Sequence, residues 1–190
     1  KMAGDADKQN EALGQLGTYA PVLLVMMITT LILSFQSVRF ALVIGSVAIL
    51  SVGLGMMSLW LSGLPIGFNP LLACAGLIGV TINDSIVVIA AIKANPKAMS
   101  GDTEEIVAET MSCSRHILST TVTTVGGLIP LLLFTSGSFW PPLAVVLAGG
   151  IGFSVVLSLV YTPILIGTLC RIRQRKLDRA EQKRLAKAAA

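Results

Sequence analysis

The sequence predicts an all-α membrane protein: a bundle of five transmembrane helices with a short interfacial helix on the cytoplasmic side. Hydrophobic residues make up 54% of the 190 residues and charged residues only 13%, whereas soluble domains are about 25% charged. The apolar residues are concentrated in five long stretches that are apolar all round, unlike the amphipathic helices of a soluble protein. Connections that carry positive charge also alternate with uncharged ones, as expected for a chain that crosses a membrane repeatedly.

Each apolar stretch is close to the length of about 20 residues that a membrane span requires. The predicted spans are residues 19–35, 40–61, 68–91, 117–134 and 142–169. Apart from Asp84, these stretches contain no Asp, Glu, Lys or Arg. The chain therefore divides into a polar lead-in at 1–15, a transmembrane domain at 16–170 and a basic tail at 171–190.

The charges of the connections predict the orientation of the chain. Arg39, the segment containing Lys93 and Lys97, and the basic tail fall on one side, whereas the connections SGLPIGFN and TSGSFWPP on the other side carry no charge. The positive-inside rule makes the charged side and the carboxyl terminus cytoplasmic. An amino terminus that lies outside without a signal segment predicts that this chain is part of a longer protein.

The segment between the third and fourth spans has the features of a separate helix. Asn95-Pro96 interrupts the preceding helix, and Asp102 with Glu105 has the spacing of a capping box. Residues 102–114 are therefore predicted to form an amphipathic helix on the cytoplasmic surface. A solvated connector is the alternative.

Composition disfavours several classes of function. Cys74, Cys113 and Cys170 do not have metal-ligand spacing, so neither a metal site nor a cofactor is predicted. His116, at the entrance of a span, is interpreted as a solvated side chain. No nucleophile triad or phosphate loop is visible, and an intramembrane aspartyl protease would need two carboxylates. The basic tail favours anionic headgroups over nucleic acid as its partner.

Asp84 is the residue that calls for a functional explanation. A carboxylate at the centre of a membrane helix costs about 2.5 to 3.5 kcal/mol on insertion scales, and such residues usually serve ion or proton pathways. Helical rise places Asp84 roughly 13 Å from Lys93 and roughly 21 Å from Pro70. It is therefore predicted to lie deep in the membrane, displaced towards the cytoplasm.

The fourth span begins with a cluster of hydroxyl groups that matches Asp84 in depth. Five residues fall within two turns: Ser119, Thr120, Thr121, Thr123 and Thr124. Thr120 and Thr124 lie roughly 7 and 13 Å into the membrane. Desolvation favours a protonated carboxyl and hydrogen-bond donors favour the ion, so Asp84 between such influences is predicted to act as a proton switch. The alternative for each hydroxyl is a bond to its own helix backbone.

Small residues suggest which helix faces pack closely. The third span carries Gly76 and Gly79 at helical spacing before Asn83, and the fourth carries Gly126 and Gly127. Such residues allow membrane helices to approach each other. These glycines are therefore predicted to mediate helix packing.

Four motifs in order resemble the carboxy-terminal transmembrane half, helices eight to twelve, of a resistance-nodulation-division (RND) efflux transporter. GVTINDSIVVI resembles the polar motif of helix ten, and RHILSTTVTTVGGLIPLLLF resembles the start of helix eleven. PLAVVLAGGIGFSVVLSLVYTPILIGTL resembles helix twelve. The first forty residues resemble the exit from a periplasmic domain into helices eight and nine.

The resemblance implies a proton-driven pump, a secondary transporter and no enzyme, in the bacterial inner membrane. Its expected substrates are drugs or metals, and its expected partners are the missing amino-terminal half and porter domains, two further copies in a homotrimer, a periplasmic adaptor and an outer-membrane channel. Asn83, Asp84 and Thr120 take the relay positions, with Thr121, Thr124 and Ser85 as supporting polar residues. The family commonly has lysine or asparagine on this helix, and where a drug pump commonly has lysine this chain has Asn83 with a carboxylate beside it.

Two alternatives remain from the sequence. An accessory subunit of the Sec export machinery has a similar Asn-Asp-Ser/Thr motif and also uses the proton gradient. That family continues with a charged run, whereas this chain continues with Ala90 and Ala91. A structural membrane scaffold is the other alternative, and it predicts that replacing Asp84 leaves transport unchanged.

Overall fold

The computed structural model describes residues 2–135 and 139–188, and helices dominate it. The α-helices of this part of the chain are α1 (Met2–Phe35), α2 (Val38–Leu61), α3 (Phe68–Ala94), α4 (Pro96–Met99), α5 (Thr103–Phe134), α6 (Trp140–Val156) and α7 (Thr162–Ala188). A π-helical segment at Leu157–Tyr161 joins α6 to α7. The uncharged connection TSGSFWPP lies partly outside the described residues. The predicted all-α fold is confirmed.

Five segments within these helices are long and apolar enough to cross a membrane. They are Gly17–Phe35, Val38–Leu61, Phe68–Ala94, Thr103–Phe134 and Trp140–Gln174. They contain the five stretches predicted from the sequence. The chain is therefore a multi-pass membrane protein.

Side-chain contacts at the two ends of the bundle fix how the spans alternate. The Lys93 ammonium donates a hydrogen bond to the Phe35 carbonyl at 3.0 Å, which joins the end of α3 to the end of α1. Arg171 donates to the hydroxyl of Thr103 at the start of α5. At the opposite end the Asn69 amide donates to the Phe139 carbonyl at 3.0 Å. The positively charged connections therefore share one end of the bundle.

The interior of the bundle is formed mainly where α2, α3 and α6 meet. Leu77 of α3 and Val146 of α6 are fully buried. Glycines let the backbones approach: a Cβ atom on Gly55 would lie 2.7 Å from Leu77 Cδ2. A Cβ on Gly149 would overlap Ser58, and one on Gly150 would overlap Leu77. Small residues thus set the spacing of these three helices, as in many membrane bundles.

The glycines predicted to mediate packing are not at these contacts. Cβ atoms on Gly79, Gly126 and Gly127 would have no neighbour within 4 Å, and one on Gly76 would make an ordinary 3.7 Å contact with Leu147. The reason is orientation, because all four glycines lie on exposed faces of α3 and α5. The spacing of these residues was visible in the sequence, but the direction they face was not.

The predicted interfacial helix at 102–114 is not a separate element. These residues form the first turns of α5, which runs without a break from Thr103 to Phe134. Asp102 caps the helix by accepting a hydrogen bond from the Glu104 backbone at 3.1 Å. No glycine or proline follows in the sequence until Gly126, so the helix has no reason to end before the span.

The interruption predicted at Asn95-Pro96 is present and produces the short helix α4. Asn95 caps α4, accepting a hydrogen bond from the Lys97 backbone at 3.0 Å. The Asn95 amide also donates to Glu105 and Glu109, each at 3.0 Å. Lys97 pairs with Glu105 at 3.5 Å. These contacts hold the connection between α3 and α5 against the first turns of α5.

The fifth span changes helical form at its centre. At the π-helical segment, the Thr162 hydroxyl donates to the Leu157 carbonyl five residues earlier at 3.2 Å. The helix then continues as α7 to Ala188, so the basic segment predicted at 171–190 extends the last span as a helix. One continuous helical segment therefore connects the fifth span to the basic region.

Paired glycines in α5 and α6 offer a test of this packing. Gly149→Ala should lower the free energy of unfolding by about 1 to 3 kcal/mol, because the added methyl group overlaps buried Ser58. Gly126→Ala should be neutral or stabilising by up to about 1 kcal/mol, since alanine favours a helix where space is open. Thermal unfolding of the intact transporter in detergent measures both. Equal stability of the two variants would contradict the packing described.

Candidate functional site

An open cleft of about 440 Å³ lies between α3 and α5. From α3 it is lined by Asn83 and Asp84, and from α5 by the three threonines Thr120, Thr121 and Thr124. One residue of α6, Ile151, also contributes. The structure therefore brings five of the predicted polar site residues to one place, although they come from two helices more than thirty positions apart in sequence.

Asp84 occupies the sheltered side of this cleft. Its side chain is 7% exposed, whereas the neighbouring Asn83 is exposed. The adjacent hydroxyls of Thr81 and Ser85 are completely buried. Asp84 therefore sits at the boundary between the packed interior of the bundle and the cleft, where a small helix movement would change its surroundings.

Two of the cleft threonines bond to their own helix. The Thr120 hydroxyl lies 3.1 Å from the His116 carbonyl and 2.9 Å from the Ile117 carbonyl. The Thr124 hydroxyl donates to the Thr120 carbonyl at 2.8 Å. The backbone alternative considered for these hydroxyls is thus the one adopted. Because their hydrogens are occupied, these oxygens face the cleft as acceptors.

Thr121 differs from the other two. Its side chain is 9% exposed, and its hydroxyl oxygen is buried with no hydrogen-bond partner in the described structure. Ser85 likewise has a buried hydroxyl without a partner among the described residues, but it does not line the cleft. A buried polar group without a partner costs about 1 to 3 kcal/mol. Thr121 therefore has an unused donor at the cleft.

His116 is the cleft residue that the sequence interpretation missed. It lies one position before the predicted fourth span and lines the cleft together with Asp84. His116, Thr120 and Thr124 follow each other at four-residue intervals, which puts them on one face of a helix. That spacing was the available signal, but a single histidine beside Arg115 resembled an ordinary interface residue.

The four glycines of the prediction differ in whether they line the cleft. Gly79 lines the cleft, so its missing side chain helps to open the space beside Asn83. The cleft-lining residues described do not include Gly76, Gly126 or Gly127. Among the described residues, no group of three or more His, Cys, Asp or Glu is arranged to hold a metal ion.

Comparison with known proteins assigns the chain to a family. The model of the AcrB/AcrD/AcrF family matches residues 1–169. The chain belongs to this family. The predicted resemblance to RND efflux transporters is thereby confirmed, which counts against the Sec-subunit alternative. Members of this family are transporters, and the enzyme classes considered above find no support in the comparison.

Two relatives illustrate the range of the family. The chain is 33% identical to the swarming motility protein SwrC of Bacillus subtilis (strain 168) over 131 residues, which are 67% of this chain and 12% of that protein. It is 24% identical to the cobalt-zinc-cadmium resistance protein CzcA of Cupriavidus metallidurans over 183 residues, which are 95% of this chain and 17% of that protein. The chain thus spans a small part of these relatives.

A solved structure supports the same assignment. The crystal structure of a heavy metal efflux pump matches with a TM-score of 0.75 and 25% sequence identity. The match covers 87% of this chain and 17% of the chain of the pump. The helical arrangement described above is therefore that of one segment of an RND pump.

Cysteine labelling can test the boundary between cleft and interior. In a background without Cys74, Cys113 and Cys170, a water-soluble maleimide should modify Thr120→Cys roughly tenfold faster than Ser85→Cys, because Thr120 is exposed and Ser85 fully buried. Labelling rates in membranes that contain the intact transporter provide the measurement. Equal rates at the two positions would contradict this boundary.

Proposed function

We propose that this chain forms the part of an RND pump in which protons drive export, and that Asp84 binds and releases the transported proton. The observation that carries the proposal is the cleft that gathers Asp84, Asn83 and the α5 threonines. A carboxylate placed deep in a membrane protein, facing a polar cavity, is typical of ion and proton pathways.

The threonines suit the two protonation states of Asp84 differently. The hydroxyls of Thr120 and Thr124 already donate to backbone carbonyls, so towards Asp84 they can only accept, which stabilises a protonated carboxyl. Thr121 has a hydroxyl hydrogen without a partner in the described structure, and donation from it stabilises the carboxylate. A shift of α5 along α3 that exchanges these neighbours would favour uptake or release of a proton.

His116 supplies a second group that can carry a proton in the same cleft. One imidazole nitrogen can accept a hydrogen bond or a proton while the other donates one. His116 is exposed and lies at the end of the cleft that the sequence predicts to be cytoplasmic. We therefore assign His116 the exchange of protons between Asp84 and the aqueous side.

The remaining features of the pump come from its family. We propose that the full transporter is a homotrimer in the bacterial inner membrane, with the carboxyl terminus cytoplasmic, and that it works with a periplasmic adaptor and an outer-membrane channel. Proposed substrates are drugs or metals. Because CzcA is named for cobalt, zinc and cadmium resistance, those ions are the first substrates to test.

Replacing Asp84 tests the proton-binding role directly. Asp84→Asn should lower export by the intact transporter by about a hundredfold or more, because the amide cannot carry the proton. Asp84→Glu should keep part of the activity. Export and proton flux in proteoliposomes with an imposed pH gradient measure both.

Glu104→Gln is the matched control, since it removes one carboxylate from an exposed site at the start of α5 and should leave export unchanged. Wild-type export by Asp84→Asn would exclude the relay and would favour the structural-scaffold alternative.

A double-mutant cycle tests whether His116 acts through Asp84. His116→Gln should lower export by about tenfold. The free-energy equivalent of this loss lies within the range of about 0.5 to 3 kcal/mol that is typical of interactions between coupled neighbours. Added to Asp84→Asn, His116→Gln should cause no further loss, because the proton path is already broken.

Arg115→Gln, at the neighbouring position, serves as the control for this cycle and should leave export unchanged. Additive losses from His116→Gln and Asp84→Asn would show that His116 does not work on the same proton.

A further inference from the structure

Two adjoining cavities lie at the positively charged end of the bundle, away from the Asp84 cleft. The smaller, of about 40 Å³, is lined by Arg39 and Phe40 at the start of α2, Met99 of α4, and Cys170 and Arg173 of α7. The larger, of about 330 Å³, shares Met99, Cys170 and Arg173. The two spaces thus form one pocket between helices that are far apart in sequence.

Two guanidinium groups from different helices converge on this pocket. Arg39 and Arg173 are both exposed, and neither has a salt bridge to an acidic residue of the described chain. The described lining of the two cavities includes no Asp or Glu. The nearby acids Glu105 and Glu109 are held by Asn95. Within the part of the chain that the structure describes, the pocket therefore presents positive charge without an acidic residue in its lining.

The other walls of the pocket are mainly apolar. Phe40 and Cys170 are buried, being 8% and 4% exposed respectively, and Leu169 and Met99 pack against the same cluster. Arg39 precedes the first residue of a predicted span, and Arg173 follows the last predicted span by four positions. Charge and apolar surface therefore meet at the level of the membrane interface.

We propose that this pocket binds the headgroup of an anionic phospholipid from the cytoplasmic leaflet. Guanidinium groups recognise phosphate oxygens through paired, charge-assisted hydrogen bonds. Basic pockets between membrane helices on the cytoplasmic side bind such headgroups. The apolar walls receive the glycerol and the first methylenes of the acyl chains, a combination that distinguishes a lipid from free phosphate. The site does not depend on the proposed proton relay.

Lipid binding to the intact transporter tests this site. The measurement is native mass spectrometry with added phosphatidylglycerol. The variant Arg39→Gln/Arg173→Gln should bind its tightest lipid about thirtyfold more weakly than wild type, because each arginine contributes about 1 kcal/mol to the binding free energy. Arg39→Lys/Arg173→Lys should bind the lipid more tightly than the glutamine variant but more weakly than wild type, because the ammonium groups keep the charge and lose the paired hydrogen bonds. This intermediate affinity separates loss of charge from misfolding. Phosphatidylcholine should not occupy the site.

Arg115→Gln/Arg179→Gln is the matched control. Both arginines are exposed and lie outside the two cavities, and replacing them removes the same amount of charge. Equal weakening in this control would show that general surface charge holds the lipid and would overturn the proposal. Displacement of the bound lipid by inorganic phosphate at comparable concentration would assign the pocket to the free ion, and equal binding of phosphatidylcholine would assign it to apolar contact alone. Either result would also overturn the lipid site.

Discussion

The cost of placing a polar group where water is absent shapes this structure. In hydrocarbon, the backbone N–H and C=O groups of a span must form their hydrogen bonds within the helix. A charged side chain there costs several kcal/mol unless it faces a polar cavity or a partner. The chain meets the first demand with long helices and the second by placing the carboxylate of its predicted spans at a polar cleft. Asp84, Asn83 and the α5 threonines share one cleft, while the faces around them stay apolar.

Packing and chemistry depend on different helix faces. Gly55, Gly149 and Gly150 close the contact among α2, α3 and α6, which fixes α3 in the bundle and so fixes the depth of Asp84. Another face of α3 borders the open cleft, where Gly79, Asn83 and Asp84 line it together with Val80 and Val87. Close packing on one face and a cleft on the other place Asp84 where the two meet.

The cleft and the arginine-lined pocket carry charges of opposite sign. The cleft holds the only carboxylate within the predicted spans, whereas the arginines collect at one end of the bundle, where Arg39 and Arg173 line a separate pocket. Lys93, which bonds to the Phe35 carbonyl, joins two helices at that end. The proposed proton relay and the proposed lipid site therefore rest on different residues.

Composition and order in the sequence determined the membrane fold, the five spans and the place of the positive charges at one end of the bundle. They also singled out Asp84 as the carboxylate within the predicted spans, because hydrophobic length and the cost of a buried charge are local properties of the chain. Which faces meet was decided only by the tertiary structure. Spacing alone could not show that Gly126 and Gly127 face outward, that residues 102–114 continue into α5, or that Thr121 keeps an unpartnered hydroxyl where Thr120 does not. Nor could it show that His116 lines the same cleft as Asp84, since the two residues lie on different helices whose relative rotation is set by packing across the whole bundle.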